Sequence, residues 1–200
     1  MKHNRHQVRS GCVTKGPRKQ PKTYAEVVAL YIAEDQQRGD DDLQWFAEQP
    51  DFRKRVARAV MSRMRNDLRH PHQRRIREKV LKAALGAIDM TTLEACTQFA
   101  ALHDQIEKTA GQIRGIGPLA VFDFACRIGA GCTPVVAPDE IYLHCGTMMG
   151  AMQLVNCRGR KTLRVIELPP EFRCLSARHA EDCLCIYKDE LKRIHSRHRR

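Results

Sequence analysis

Ile113-Arg114-Gly115-Ile116-Gly117-Pro118-Leu119-Ala120 is the stretch on which the reading of this chain turns. Upstream, an apolar pattern at helical spacing runs from Thr92 through Phe99, Leu102 and Ile106, then meets Gly111 just beyond Thr109 and Ala110. Downstream, Pro118 suits the first turn of a new helix, where its missing N–H has no intrahelical partner to lose. Glycine at 115 and 117 opens backbone angles closed to other residues and lets a ligand approach the main chain. The stretch therefore predicts two helices joined by a tight turn, with Ile113 and Ile116 facing inward. The helix beginning at Pro118 would present unpaired N–H groups and a positive dipole end, which together hold a phosphate oxygen. A plain helical hairpin that uses its glycines only to turn is the architectural reading of the same residues.

Helical periodicity extends outward on both sides. Thr23 and Glu26 form a capping box ahead of Val27, Val28, Leu30, Tyr31 and Ile32. Asp40-Asp41-Asp42 marks the expected start of a short helix carrying Leu43, Trp45 and Phe46, since acids favour a positive N-terminus. Pro50 and Asp51 open another, with Phe52, Val56, Val60, Met61 and Met64 inside and Arg53, Lys54, Arg58 and Arg65 outside. Past Pro71, Ile76, Val80, Leu81, Leu85 and Ile88 form an inner stripe and Arg74, Arg75 and Lys79 an outer one. A helical stretch is expected after Asp139, through Leu143, Met149 and Leu154, and a final helix over 177–195. Gly146 and Gly150, four apart, predict a close approach by another helix. Val165, Ile166 and Leu168 suit one short extended stretch, and no internal repeat occurs. The expected class is all-α: a compact multi-helix domain over 23–195 with the hairpin at about 96–129, flanked by a disordered basic arm at 1–22 and a basic tail at 196–200.

Charge narrows the partners. The net charge of +12 arises from 35 Lys and Arg against 23 Asp and Glu. Seven basic residues lie in 1–22 and five in 191–200, with no acid in either, and eleven lie in 51–79 against three acids. The remaining sequence carries 12 basic and 20 acidic residues, so cationic segments are attached to a mildly acidic body. Clustered cations suit a polyphosphate, because each neutralised phosphate releases counterions. Nucleic acid, duplex DNA first, is the expected partner, and protein partners are left open. A membrane surface is not expected, because the basic segments lack the Trp and Phe of an interfacial helix. No apolar run approaches a transmembrane length, and an apolar fraction of 42% argues against wholesale disorder. Nine cysteines without an export signal suggest reduced thiols and a cytoplasmic location, nucleoid-associated if the chain binds DNA. No metal site is expected, since Cys183 and Cys185 would point to different faces of a helix. Walker and dinucleotide fingerprints are absent.

Ile113, Gly115, Ile116, Gly117 and Ala120–Val121 occupy the positions of the helix-hairpin-helix motif, which this stretch resembles; Arg114 stands where the motif usually has proline. The resemblance implies that carbonyls of Gly111, Ile113 and Ile116 hold a monovalent cation bridging to a DNA phosphate. It also implies that the N–H groups of Gly115, Gly117 and Leu119 face that phosphate, with Arg114 and Arg127 adding charge. Arg127 has a competing use, an i,i+4 ion pair with Asp123. The chain further resembles, at a distance, the helix-hairpin-helix DNA glycosylases. That likeness implies a catalytic aspartate at the start of the following helix, and Asp139 lies 22 residues beyond Gly117. Leu119 replaces the nucleophilic lysine of bifunctional members, so only a monofunctional enzyme would fit. The four-cysteine iron–sulfur spacing is absent, as is the family's histidine after the aspartate. Asp139 also reads as a helix N-cap without catalysis. Three functions stay open: a DNA-binding protein of low sequence specificity, a glycosylase acting through Asp139, and a non-catalytic helical interaction or RNA-binding protein.

Overall fold

The structure, a computed structural model, describes residues 20–198. Much of the expected basic arm and the end of the tail lie outside those residues. Among the described ones, Pro21 is already buried. The chain is mostly helical, and its sheet is one antiparallel pair, β1 (Ile141–Tyr142) with β2 (Thr162–Leu163), in which Ile141 faces Leu163. No helix among the described residues is long and apolar enough to cross a membrane.

Helix α1 (Tyr24–Tyr31) starts where the capping box places it, with the Thr23 hydroxyl accepting the Glu26 N–H at 3.2 Å. It does not end before the acidic cluster. A π-turn over Ile32–Gln36 carries it straight into α2 (Gln37–Ala47), so Asp40, Asp41 and Asp42 lie inside a helix rather than at its head. The reason is tertiary: the π-turn brings Asp35 inward to accept the Tyr187 hydroxyl at 2.9 Å, and Asp40 pairs with Arg178. Side-chain partners replace the dipole as the stabilising influence on these acids.

Helix α3 (Phe52–Val60) is capped by Asp51, which accepts the Lys54 N–H at 2.7 Å. The apolar stripe continues to Met64 in the sequence, but the helix stops at Val60. Ser62 and Asp67 then take positive φ and fold residues 61–70 into a loop closed by an Arg63–Arg69 bridge. A one-turn 3-10 helix (Pro71–Gln73) follows, and α4 spans Glu78–Ala87. Arg74 and Arg75 are therefore in the approach to α4, not on its outer face.

Helices α5 (Met90–Glu94) and α6 (Phe99–Lys108) are separate, because Asp89 caps the first and the chain extends at Gln98. A 3-10 turn (Ala110–Gln112) and the glycine turn lead into α7 (Pro118–Gly129). Beyond it, the stretch after Asp139 becomes β1, and helix resumes only at α8 (Cys145–Ala151). The extended segment falls at Thr162–Leu163, while Val165–Glu167 is a 3-10 turn. The expected last helix is divided at Tyr187 into α9 (Ala177–Ile186) and α10 (Lys188–His198). Gly150 lies against the Leu184 carbonyl, where a side chain would not fit, so the small residues of α8 do seat α9.

Two apolar cores result. The first collects Phe46, Val56, Val60, Leu81, Leu102, Ile106, Phe124 and Ile128 from α2 to α7. The second joins Val27, Val28 and Tyr31 of α1 to Ile141, Phe172, Leu184, Leu191 and Ile194. The continuous α1–α2 helix thus contributes to both. Each fully buried Leu, Ile or Phe stabilises by about 1.5–3 kcal/mol, so both units have substantial interiors.

Candidate functional site

The two glycines of the turn between α6 and α7 differ in what they do. Gly115 has φ +106°, a conformation that strains any side chain, and a Cβ there would also lie 3.4 Å from Val80. Gly117 has φ −104° and is the N-cap of α7, with nothing within 4 Å of the place a Cβ would occupy. Its lack of a side chain is not a backbone requirement; it leaves the helix end open from outside. The Ile116 N–H closes the turn on the Ile113 carbonyl at 2.9 Å, and Ile116 is buried in the first core. The N–H groups of Gly115, Gly117 and Leu119 have no main-chain acceptor among the described residues. Neither the Gly111 nor the Ile116 carbonyl accepts a main-chain N–H there. Gly111 itself sits where α6 and α7 come close, with the Val121 side chain 3.2 Å from its would-be Cβ.

The basic residues sort into two groups. Lys54 pairs with Asp51 at 3.6 Å, Arg58 with Asp67 at 2.6 Å, and Arg65 with Glu48 at 3.0 Å while lying over the Trp45 ring. Arg53, Arg74, Arg75, Lys79 and Arg114 are exposed and have no ion pair among the described residues, as does Arg77, which the outer-stripe reading passed over. The contact between Gly115 and Val80 sets the N-terminal end of α4, with Arg77 and Lys79, beside the turn that carries Arg114. Both α3 and α4 pack together, and α3 also lies along α7.

Two expected site residues lie elsewhere. Arg127 is 4% exposed and bonds to Asp123, Gln73, Ser62 and the Ala59 carbonyl, so it is not a contact for an external phosphate. Its ion pair with Asp123 does form, at 3.4 Å, but inside the protein rather than on the helix surface. Asp139 is exposed and precedes a strand, so it is no helix N-cap, and the resemblance that placed a catalytic aspartate at a helix start finds no such helix.

Sequence reading missed a polar cleft of about 80 Å³ lined by Asp42 of α2, His70 and His72, Asp123 and Arg127 of α7, and Arg178 and Asp182 of α9. Asp123 is its centre. Its Oδ2 accepts Gln73 Nε2 at 2.5 Å, lies 3.1 Å from His72 Nδ1 and 3.4 Å from Arg127. Burial alone would raise the Asp123 pKa, but Arg127 and His72 together hold it well below the ordinary carboxylate range. His70 is pushed down to about 3, by burial first and by Arg127 second, while hydrogen bonding to Asp123 raises His72. Burial and the neighbouring Glu181 push Asp182 up to about 7, and burial raises Asp42. The local trace of this site in the sequence is His70-Pro71-His72; its other members are scattered from 42 to 182.

A small second polar group lies in the other core, where His144 Nε2 sits 2.6 Å from Glu181 Oε1, which also accepts the Thr147 hydroxyl at 2.5 Å. All three residues are buried, and the group links the head of α8 to α9.

No protein-family model matches the chain, and searches of curated proteins and of solved structures give no significant match.

Proposed function

We propose that the protein binds nucleic acid, duplex DNA in the first instance, by gripping a backbone phosphate with a helix-hairpin-helix formed by α6, the glycine turn and α7. The observation that carries this reading is the turn itself. Three main-chain N–H groups without main-chain partners lie at an open helix N-terminus, next to Arg114, Arg77 and Lys79, which have no ion pairs among the described residues. An N-terminal helix end with free donors favours an anion, and surrounding cations add attraction that does not depend on sequence. Contacts of this kind fix position on the duplex and carry no base information, so the binding has low sequence specificity. The carbonyls of Gly111, Ile113 and Ile116 supply oxygen donors suited to a hard monovalent cation, which would neutralise part of the phosphate charge. The reading does not extend to base excision, because Asp139 heads no helix and does not line the polar cleft.

Gly117→Val is the decisive variant, since it obstructs the phosphate approach at a position with room for a side chain and an ordinary φ. The variant is expected to stay folded, losing about 1 kcal/mol as a poorer N-cap, yet bind a 20-base-pair duplex at least about tenfold more weakly, each lost phosphate contact flattening the salt dependence by about 0.9 in log–log slope. Unchanged affinity and slope in a folded Gly117→Val protein would overturn the reading.

A further inference from the structure

The polar cleft carries an inference that is independent of the turn. We infer that it holds a divalent transition-metal ion, with His70, His72 and Asp123 as ligands and Asp42 as a supporting carboxylate. One ligand atom from each of His70, His72 and Asp123 lies within 4.8 Å of the others. A tetrahedron of 2.0–2.1 Å bonds has edges of about 3.3 Å, so side-chain adjustments on the order of 1 Å would close the set. The His72 ring, being partly exposed on a short turn, is free to make that adjustment.

The hydrogen bonding around these groups is arranged for such an ion. All three contacts to Asp123 fall on Oδ2, from Gln73, His72 and Arg127, leaving Oδ1 with no partner among the described residues. Asp123 can therefore bind a metal through one oxygen while Gln73 and Arg127 orient it through the other, the usual division between ligand and supporting residues. His70 would bind through Nδ1, exchanging the His72 N–H that this nitrogen accepts at 3.3 Å for the ion, with the proton on Nε2 facing Asp42 Oδ2 at 3.9 Å as the supporting carboxylate. The two imidazoles lie edge to face with ring centroids 4.7 Å apart, both on the cleft side of the Pro71 turn.

Charge is compatible as well. Asp42 and Asp123 balance Arg127 and Arg178 in the cleft, so an ion there meets no excess of positive charge, and Asp182 adds negative charge as it ionises. Arg127 does not depend on Asp123 alone, since it also donates to Gln73 Oε1 at 3.0 Å and Ser62 Oγ at 3.2 Å. Imidazole with carboxylate suits zinc, nickel or iron(II) better than calcium or magnesium. A second group of possible ligands, His103, Asp104 and Glu107, lies along the face of one helix. It lacks oriented supporting residues among the described contacts, and it provides the control.

The full-length chain, stripped with chelator and reduced, would be titrated with Zn2+ by calorimetry, then with Ni2+. One equivalent is expected to bind, at least about tenfold more weakly in His72→Ala and in His70→Ala, the scale on which even outer-shell partners matter. His103→Ala is expected to bind as the parent does. His72 is exposed enough that its alanine variant keeps the fold, which circular dichroism checks. No binding of either ion at 100 times the protein concentration overturns the assignment. So does binding that His72→Ala and His70→Ala leave intact, as thiol capture by the cysteines would, or that only His103→Ala removes.

Discussion

Helix α7 has two ends that solve opposite problems. At its start, Gly117, Pro118 and the Leu119 N–H lie at an open turn whose donors lack main-chain partners among the described residues. Two turns further on, Asp123 and Arg127 are enclosed by His72, Gln73, Ser62 and Phe46, with nearly every polar atom engaged. Unpaired groups that water already solvates are available to an external ligand and cost the fold little when altered. Buried groups that satisfy one another are costly to disturb, since removal of one strands the rest. Stability and ligand binding should therefore respond to mutation at different places along one helix.

The largest effect is expected at the enclosed end. Arg127→Met removes the guanidinium from the Asp123 carboxylate, leaving only His72 and Gln73 on it, strips Gln73 Oε1 of its donor, and should cost about 3–5 kcal/mol in urea unfolding. A loss below about 1 kcal/mol would mean that the buried network contributes little and that the contrast is false.

A smaller, pH-dependent effect is expected across the cleft. Asp182 has a folded-state pKa raised above its unfolded value, so its stabilising contribution is full below about pH 3.9 and is lost as pH climbs toward 7. Asp182→Asn, compared with the parent in chelator, should therefore gain relative stability between about pH 4 and pH 7. The gain is expected near 2 kcal/mol rather than the full ~1.4 kcal/mol per pKa unit, because the side chain is 30% exposed. His70, depressed to about 3, acts in the opposite direction over part of that range, so the difference between the two proteins is the quantity to follow. A stability difference that stays flat across those pH values would show that Asp182 ionises normally.

The smallest effects separate the two glycines. Gly115→Ala should cost about 1–2 kcal/mol, because alanine does not tolerate φ +106° without strain. Gly117→Ala should cost less, about 0.5–1 kcal/mol, because its φ is ordinary and only the poorer N-cap is felt. Equal melting shifts for the two would erase the distinction between a glycine needed by the backbone and one that keeps a surface open.

These contrasts also explain what could be read from the sequence. The helical class and the α6–turn–α7 arrangement depend on neighbours in the chain: apolar spacing, glycine, and proline at a first helical position. Caps at Thr23 and Asp51 were legible for the same reason. Errors occur where distant contacts override local preference. Asp40–Asp42 reads as a helix start until Tyr187 and Arg178 are brought against the π-turn and α2. Asp139 reads as a cap until Ile141 pairs with Leu163. The cleft was illegible because Asp42, His70, Asp123 and Asp182 are each ordinary residues in their own segments, and only packing brings them together. Arg127 illustrates both cases: its i,i+4 partner was visible, its burial was not.

The division of α1 and α2 between two interiors has a consequence for synthesis. Every buried apolar member of the first core lies between residues 46 and 136, so that interior has its parts once those residues leave the ribosome. Val27, Val28 and Tyr31 emerge earlier, yet their partners run from Ile141 to Ile194. During translation the chain therefore carries an apolar helix face that must wait, uncovered, for the last segments to arrive, while Phe46 beyond its π-turn already has its partners.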